Sequence, residues 1–73
     1  MNQLIAFKNG QIEVGTGEPG YKWVQAYSIK FQDGGVSNPM TLSNIRGMAK
    51  RDGQKLIIFE TEEAAIIEQK KGV

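Results

Sequence analysis

The side chains that could support chemistry are three serines (Ser28, Ser37, Ser43), two aspartates (Asp33, Asp52), the adjacent glutamates Glu62 and Glu63, and glycines at Gly15, Gly17 and Gly20. The chain has no cysteine and no histidine. The commonest general base and the thiol nucleophile are therefore missing, and so are the usual nitrogen and sulfur metal ligands. A serine needs a base beside it to become a nucleophile, and no spacing here brings a lysine next to one. Glu62 and Glu63 are neighbours; on a helix their side chains diverge by about 100°. Asp33 and Asp52 sit in separate Asp-Gly turns, too far apart in sequence to be read as one hard-cation cage. These residues predict a chain without catalytic, cofactor-binding or metal-binding residues.

Gly15, Gly17 and Gly20 satisfy G-x-G-x-x-G, a pattern that can cradle phosphates. The dinucleotide version needs a helix to follow it, and the residues after Gly20 alternate as a strand instead. The kinase version needs a lysine strand and a catalytic loop, for which 73 residues leave no room. The loop is read as a connection between two strands, and also as a binding tip, since loops carry contacts disproportionately.

Nine basic against eight acidic residues leave a formal charge of +1. Global charge therefore steers the chain towards neither nucleic acid nor acidic lipid, and any electrostatic footprint must be local. The longest apolar run, Leu56 to Phe59, is far too short for a membrane span, and no signal-peptide pattern is visible. The expectation is a cytoplasmic protein without membrane contact, folded as a single domain over residues 1–73. Size scaling for this length gives roughly 4,500 Å² exposed when folded and about 7,200 Å² buried. If about 60% of that is apolar, its burial contributes on the order of 108 kcal/mol at ~25 cal/mol per Å², against about 110 kcal/mol for ordering the chain. So even a balance often needs a disulfide, a metal or a partner surface to tip it.

Asn9-Gly10 stands between two short apolar runs, Gln3 to Lys8 and Gln11 to Val14. It predicts a two-residue hairpin, which would set Phe7 opposite Ile12 and Ile5 opposite Val14 on one face, leaving Lys8, Gln11 and Glu13 on the other. Tyr21 to Gln32 alternates as a long strand, with Tyr21, Trp23, Tyr27, Ile29 and Phe31 on one face. Ile29 and Phe31 are assigned to the core. A twelve-residue strand would span roughly 40 Å, more than a chain of this length needs, so one end projects or bends; Tyr21 and Trp23 lie at its glycine-flanked end. Asp33-Gly34-Gly35 ends this strand, and Val36 begins a short return. Thr41 or Ser43 caps a helix to about Arg51, with Leu42, Ile45, Met48 and Ala49 as its apolar stripe and Asp52-Gly53 as its close. Leu56 to Phe59 reads as a central strand covered on both faces. Thr61 caps a last helix to Lys71, with Gly72 as a stop. The predicted fold is α+β: a mostly antiparallel sheet of three or four strands with two helices packed mainly on one face, ordered β-β-β-α-β-α.

Two surfaces compete for function. Tyr21 and Trp23, with Glu18 and Lys22 beside them, have the composition of a protein-binding hot spot at a strand edge. Arg46, Lys50, Arg51 and Lys55 form a basic segment that could touch phosphates, unless Glu60, Glu62, Glu63 and Glu68 neutralise it across the fold. The leading expectation is a non-enzymatic protein-binding module, an inhibitor or adaptor of a larger complex, for which a viral or mobile-element origin would fit. Nucleic-acid binding through the basic segment is the second expectation, and a homodimer built through the same strand edge is the third.

Overall fold

The computed structural model describes residues 2–17 and 20–71. Its elements run β1 (Gln3–Gly15), β2 (Tyr21–Ile29), α1 (Leu42–Arg51), β3 (Lys55–Phe59) and α2 (Glu62–Lys71). The class is α+β, with a three-stranded sheet in the order β2-β1-β3 and two helices. The sheet is mixed, because β1 pairs antiparallel with β2 from Ala6 to Gly15 and parallel with β3 from Gln3 to Phe7.

Asn9-Gly10 is not a hairpin turn. β1 runs straight through it, and the ladder with β2 skips from Lys8↔Tyr27 to Gln11↔Gln25. Two residues of β1 thus stand against Ala26 alone, which is a β-bulge. Gly10 takes φ +70, the left-handed conformation that a type I′ turn also demands, so the same dipeptide chemistry serves either geometry. The expected faces survive the change. Residues opposite one another in a ladder share a face, so Ile5, Phe7, Ile12 and Val14 lie together and Lys8, Gln11 and Glu13 lie on the other side.

The helices do not share one face of the sheet. One core joins Leu4, Ala6 and Ile29 to Ile45 and Ala49 of α1, with Tyr27, Met40, Met48 and Leu56 packed around it. The other joins Ile5 and Phe7 to Ala65 of α2, with Phe59 against it. Leu4 to Phe7 alternate between these cores, so the start of β1 is apolar on both sides because a helix covers each side. This makes β1 the central strand and puts β3 at an edge, contrary to the expectation for Leu56 to Phe59. Its cover is partial as well, since none of Leu56 to Phe59 is fully buried and Ile58 is 38% exposed; an apolar run does not say whether a strand has neighbours on both flanks.

Both helix starts follow the expected chemistry. Thr41 Oγ1 accepts from the backbone N–H of Asn44, and Thr61 Oγ1 accepts from that of Ala64, each satisfying a donor the first turn leaves unpaired. The first helix closes at Asp52, with Gly53 following at φ +65. Gly72 lies outside the described residues.

β2 ends at Ile29, short of the expected Gln32. Lys30 forms an isolated bridge with Val36, after which Phe31 enters a tight turn whose N–H donates to Gly35 O and whose carbonyl accepts from Gly34. Phe31 is therefore 43% exposed, not core as its period-two position implied. It stands on the rim of an open hollow of about 920 Å³ between this turn, the start of β1 and α2.

Candidate protein-docking arm

Burial in the sheet stops at the bulge. The buried residues of β1 are Leu4 to Phe7, and those of β2 are Ala26, Ser28 and Ile29. Beyond them Gln11–Gly15 and Tyr21–Gln25 continue as a two-stranded ribbon, roughly 17 Å long at the usual rise. Neither core includes a residue of this ribbon. The projection the sequence implied is thus present, and it carries Tyr21 and Trp23. The chain spans 47 × 25 × 16 Å and exposes 5276 Å², against roughly 4,500 Å² expected for its mass.

The bulge is held from both strands. Asn9 Nδ2 donates to Ser28 Oγ at 3.0 Å, supplying a partner for a fully buried hydroxyl. Gln25 Nε2 donates to Gly10 O at 2.8 Å and to Ala26 O at 2.9 Å, so one side chain holds a carbonyl from each side of the irregular part of the ladder. Sequence reasoning missed both roles. Once Gly10 is placed in a turn, neither Asn9 nor Gln25 has anything to do across the strands.

The ribbon has two unlike faces. The ladder sets Glu13 against Trp23, Gly15 against Tyr21 and Gln11 against Gln25 on one side, and Ile12 against Val24 and Val14 against Lys22 on the other. Tyr21 is 72% and Trp23 62% exposed; of the four aromatic residues predicted to share a face, only Tyr27 joins a core. Lys22 is exposed, on the face opposite Trp23. Glu18 lies outside the described residues. The Gly15 to Gly20 connection joins the two strands as expected; Gly17 and Gly20 both adopt positive φ.

The outer edge of β2 is sealed near the cores and open along the ribbon. Tyr27 exchanges backbone hydrogen bonds with Met40, and Ile29 O accepts from the N–H of Ser37. Ser37 Oγ in turn accepts from the Ile29 N–H. Antiparallel pairing directs alternate residues outward, so the N–H and C=O of Gln25, Trp23 and Tyr21 point away from β1. No backbone bond covers them among the described residues.

The basic segment stays in the open. Arg46, Lys50, Arg51 and Lys55 are all exposed. Two of the glutamates that could have neutralised it pair elsewhere: Glu60 with Lys8 at 2.7 Å and Glu62 with Lys30 at 3.3 Å. The hydrogen bond from Lys8 to Glu60 raises the lysine's pKa above its ordinary value, reinforced by the charge attraction. Arg51 binds Asp52 at 3.1 Å, and this hydrogen bond holds the Asp52 carboxyl below its usual range. Arg46, Lys50 and Lys55 have no ion-pair partner among the described residues.

Among the described residues no group of three or more acidic side chains could hold a metal. Asp33 caps its own turn by accepting from the Gly35 N–H at 2.8 Å. No described helix is long and apolar enough to cross a membrane. Comparison with protein-family models, with curated proteins and with solved structures finds no significant match.

Proposed function

We propose that this chain is a non-enzymatic protein-binding module, an inhibitor or adaptor of a larger complex, that docks through the projecting ribbon. What carries the reading is the exposure of Tyr21 and Trp23 side by side on a ribbon whose outer edge is open. Isolated two-stranded ribbons are marginal in water, and strand addition along an open edge is a recurrent mode of protein recognition. The surface in excess of the size expectation, roughly 800 Å², is about what one partner contributes to a standard interface.

Trp23→Ala should weaken partner binding about tenfold or more, as for a buried aromatic anchor, while the circular dichroism spectrum stays native. Capture from host extract after nuclease treatment, with the wild-type and variant chains in parallel, makes the comparison. Equal recovery by both would exclude Trp23 as the anchor, and an unfolded variant would return it to the structural core.

A second reading, nucleic-acid binding, is supported by Arg46 and Lys50, four residues apart on α1 and without acidic partners among the described residues. Under it, Arg46→Glu with Lys50→Glu abolishes retention on single- or double-stranded nucleic acid while Trp23→Ala leaves it unchanged. Retention unaffected by the double charge reversal would remove this reading.

A further inference from the structure

Resting on the reading of the ribbon as a protein-docking surface, we propose that its outer edge is occupied by a second copy of this chain, paired antiparallel about a two-fold axis at Trp23.

The free edge has defined ends. On the core side the Tyr27–Met40 bridge already uses the outward groups of Tyr27. On the tip side β2 begins at Tyr21, and Pro19 in the connection has no N–H to offer. Only the outward groups of Tyr21, Trp23 and Gln25 lie between these limits.

A two-fold axis at Trp23 uses all three. Trp23 meets Trp23 of the second copy, Tyr21 meets its Gln25, and Gln25 meets its Tyr21, each pair presenting outward N–H and C=O to one another. Shifting the axis towards the tip, to Lys22 or Tyr21, sets Gln25 beyond the end of β2 in the other copy and leaves it unpaired, and at Lys22 it also opposes two like charges. Shifting it towards the core, to Val24 or Gln25, requires the groups of Tyr27 that Met40 holds.

The side chains agree with this register. Trp23 and Tyr21 of each copy fall on the same face as those of the other, forming one cluster of four rings. Their exposed surface amounts to about 600 Å² across both copies, given the 150–250 Å² that such residues bury. That is about half the lower bound for a standard interface, with paired backbone and Gln25 adding to it. On the opposite face Lys22 lies against Val24 of the second copy, so no like charges meet. Symmetry doubles the aromatic contribution of a ribbon that has only two such side chains.

The test is sedimentation equilibrium of the full chain from about 1 µM to about 1 mM, a span that brackets affinities expected of a small interface. Emission of Trp23, the sole tryptophan, is followed over the same range. The expected result is a monomer–dimer equilibrium with a blue shift of the emission as dimer forms. Val24→Lys should weaken the dimer about tenfold by setting a second ammonium against Lys22 of the other copy, and Lys22→Glu in the Val24→Lys background should restore it. Monomer at all concentrations would overturn the proposal, as would a dimer indifferent to both Trp23→Ala and the charge exchange. A monomer whose capture of another protein depends on Trp23 would overturn self-pairing and leave the docking reading standing. If Trp23→Ala alters neither mass nor capture, both fall.

Discussion

Replacing Ile45 with alanine is expected to cost about 2–5 kcal/mol, the range for truncating a large aliphatic side chain in a packed core. Ile45 is fully buried on α1, in the core it forms with Leu4, Ala6, Ile29 and Ala49. These neighbours belong to three different elements, β1, β2 and α1 itself, so the gap cannot close by moving one side chain. For a domain of this length total stability is roughly 4–11 kcal/mol, and the loss removes a large share of it. Urea unfolding followed by circular dichroism measures the change. Phe31→Ala serves as the contrast, because that ring stands half in solvent and should cost well under half as much despite its greater size. Equal losses for the two variants would mean that Phe31 is packed in the core.

Gly10→Val is expected to cost about 2–3 kcal/mol, comparable to a core truncation although the residue is exposed. The glycine holds φ +70, and a Cβ there would meet nothing within 4 Å. The penalty is therefore one of backbone conformation, which a β-branched side chain resists most strongly. Gly10→Asn should recover most of the loss, since asparagine tolerates the left-handed region. Deleting Gly10 distinguishes a bulge from a turn. In a bulge the extra residue goes, Asn9 pairs with Ala26, and the ladder on either side keeps its register. In a two-residue hairpin the same deletion would remove half the loop. A deletion variant that melts close to wild type, while Gly10→Val melts far below it, is the outcome the ladder requires.

The two helices were legible down to their caps because the signals are local. Thr41 and Thr61 each stand three residues before the N–H they accept from, and the apolar spacing of Ile45 and Ala49 needs only the helical repeat. Tyr21 and Trp23 were singled out because a strand that long exceeds a chain of this size. That inference compares two lengths and requires no knowledge of the partner strand. Whether the basic segment is neutralised stayed open in the sequence because ion pairing is long-range. Glu60 meets Lys8 and Glu62 meets Lys30, contacts that depend on how β3 and α2 lie beside the first two strands.

By itself the sequence determined class, helix ends and which residues of the first two strands share a face. Tertiary structure decided whether the chain reverses at Asn9-Gly10 or passes through, which strand is central, and which side of the sheet each helix takes. The physical reason is that strand periodicity records only parity. A two-residue turn and a one-residue bulge both return Gln11 to the side of Lys8, so Ile5, Phe7, Ile12 and Val14 share a face either way. What breaks the tie is the antiparallel pairing of Ala6 to Lys8 with Tyr27 to Ile29, which takes the strand edge a returning Gln11 to Val14 would need, a contact between segments about twenty residues apart that no short local window contains.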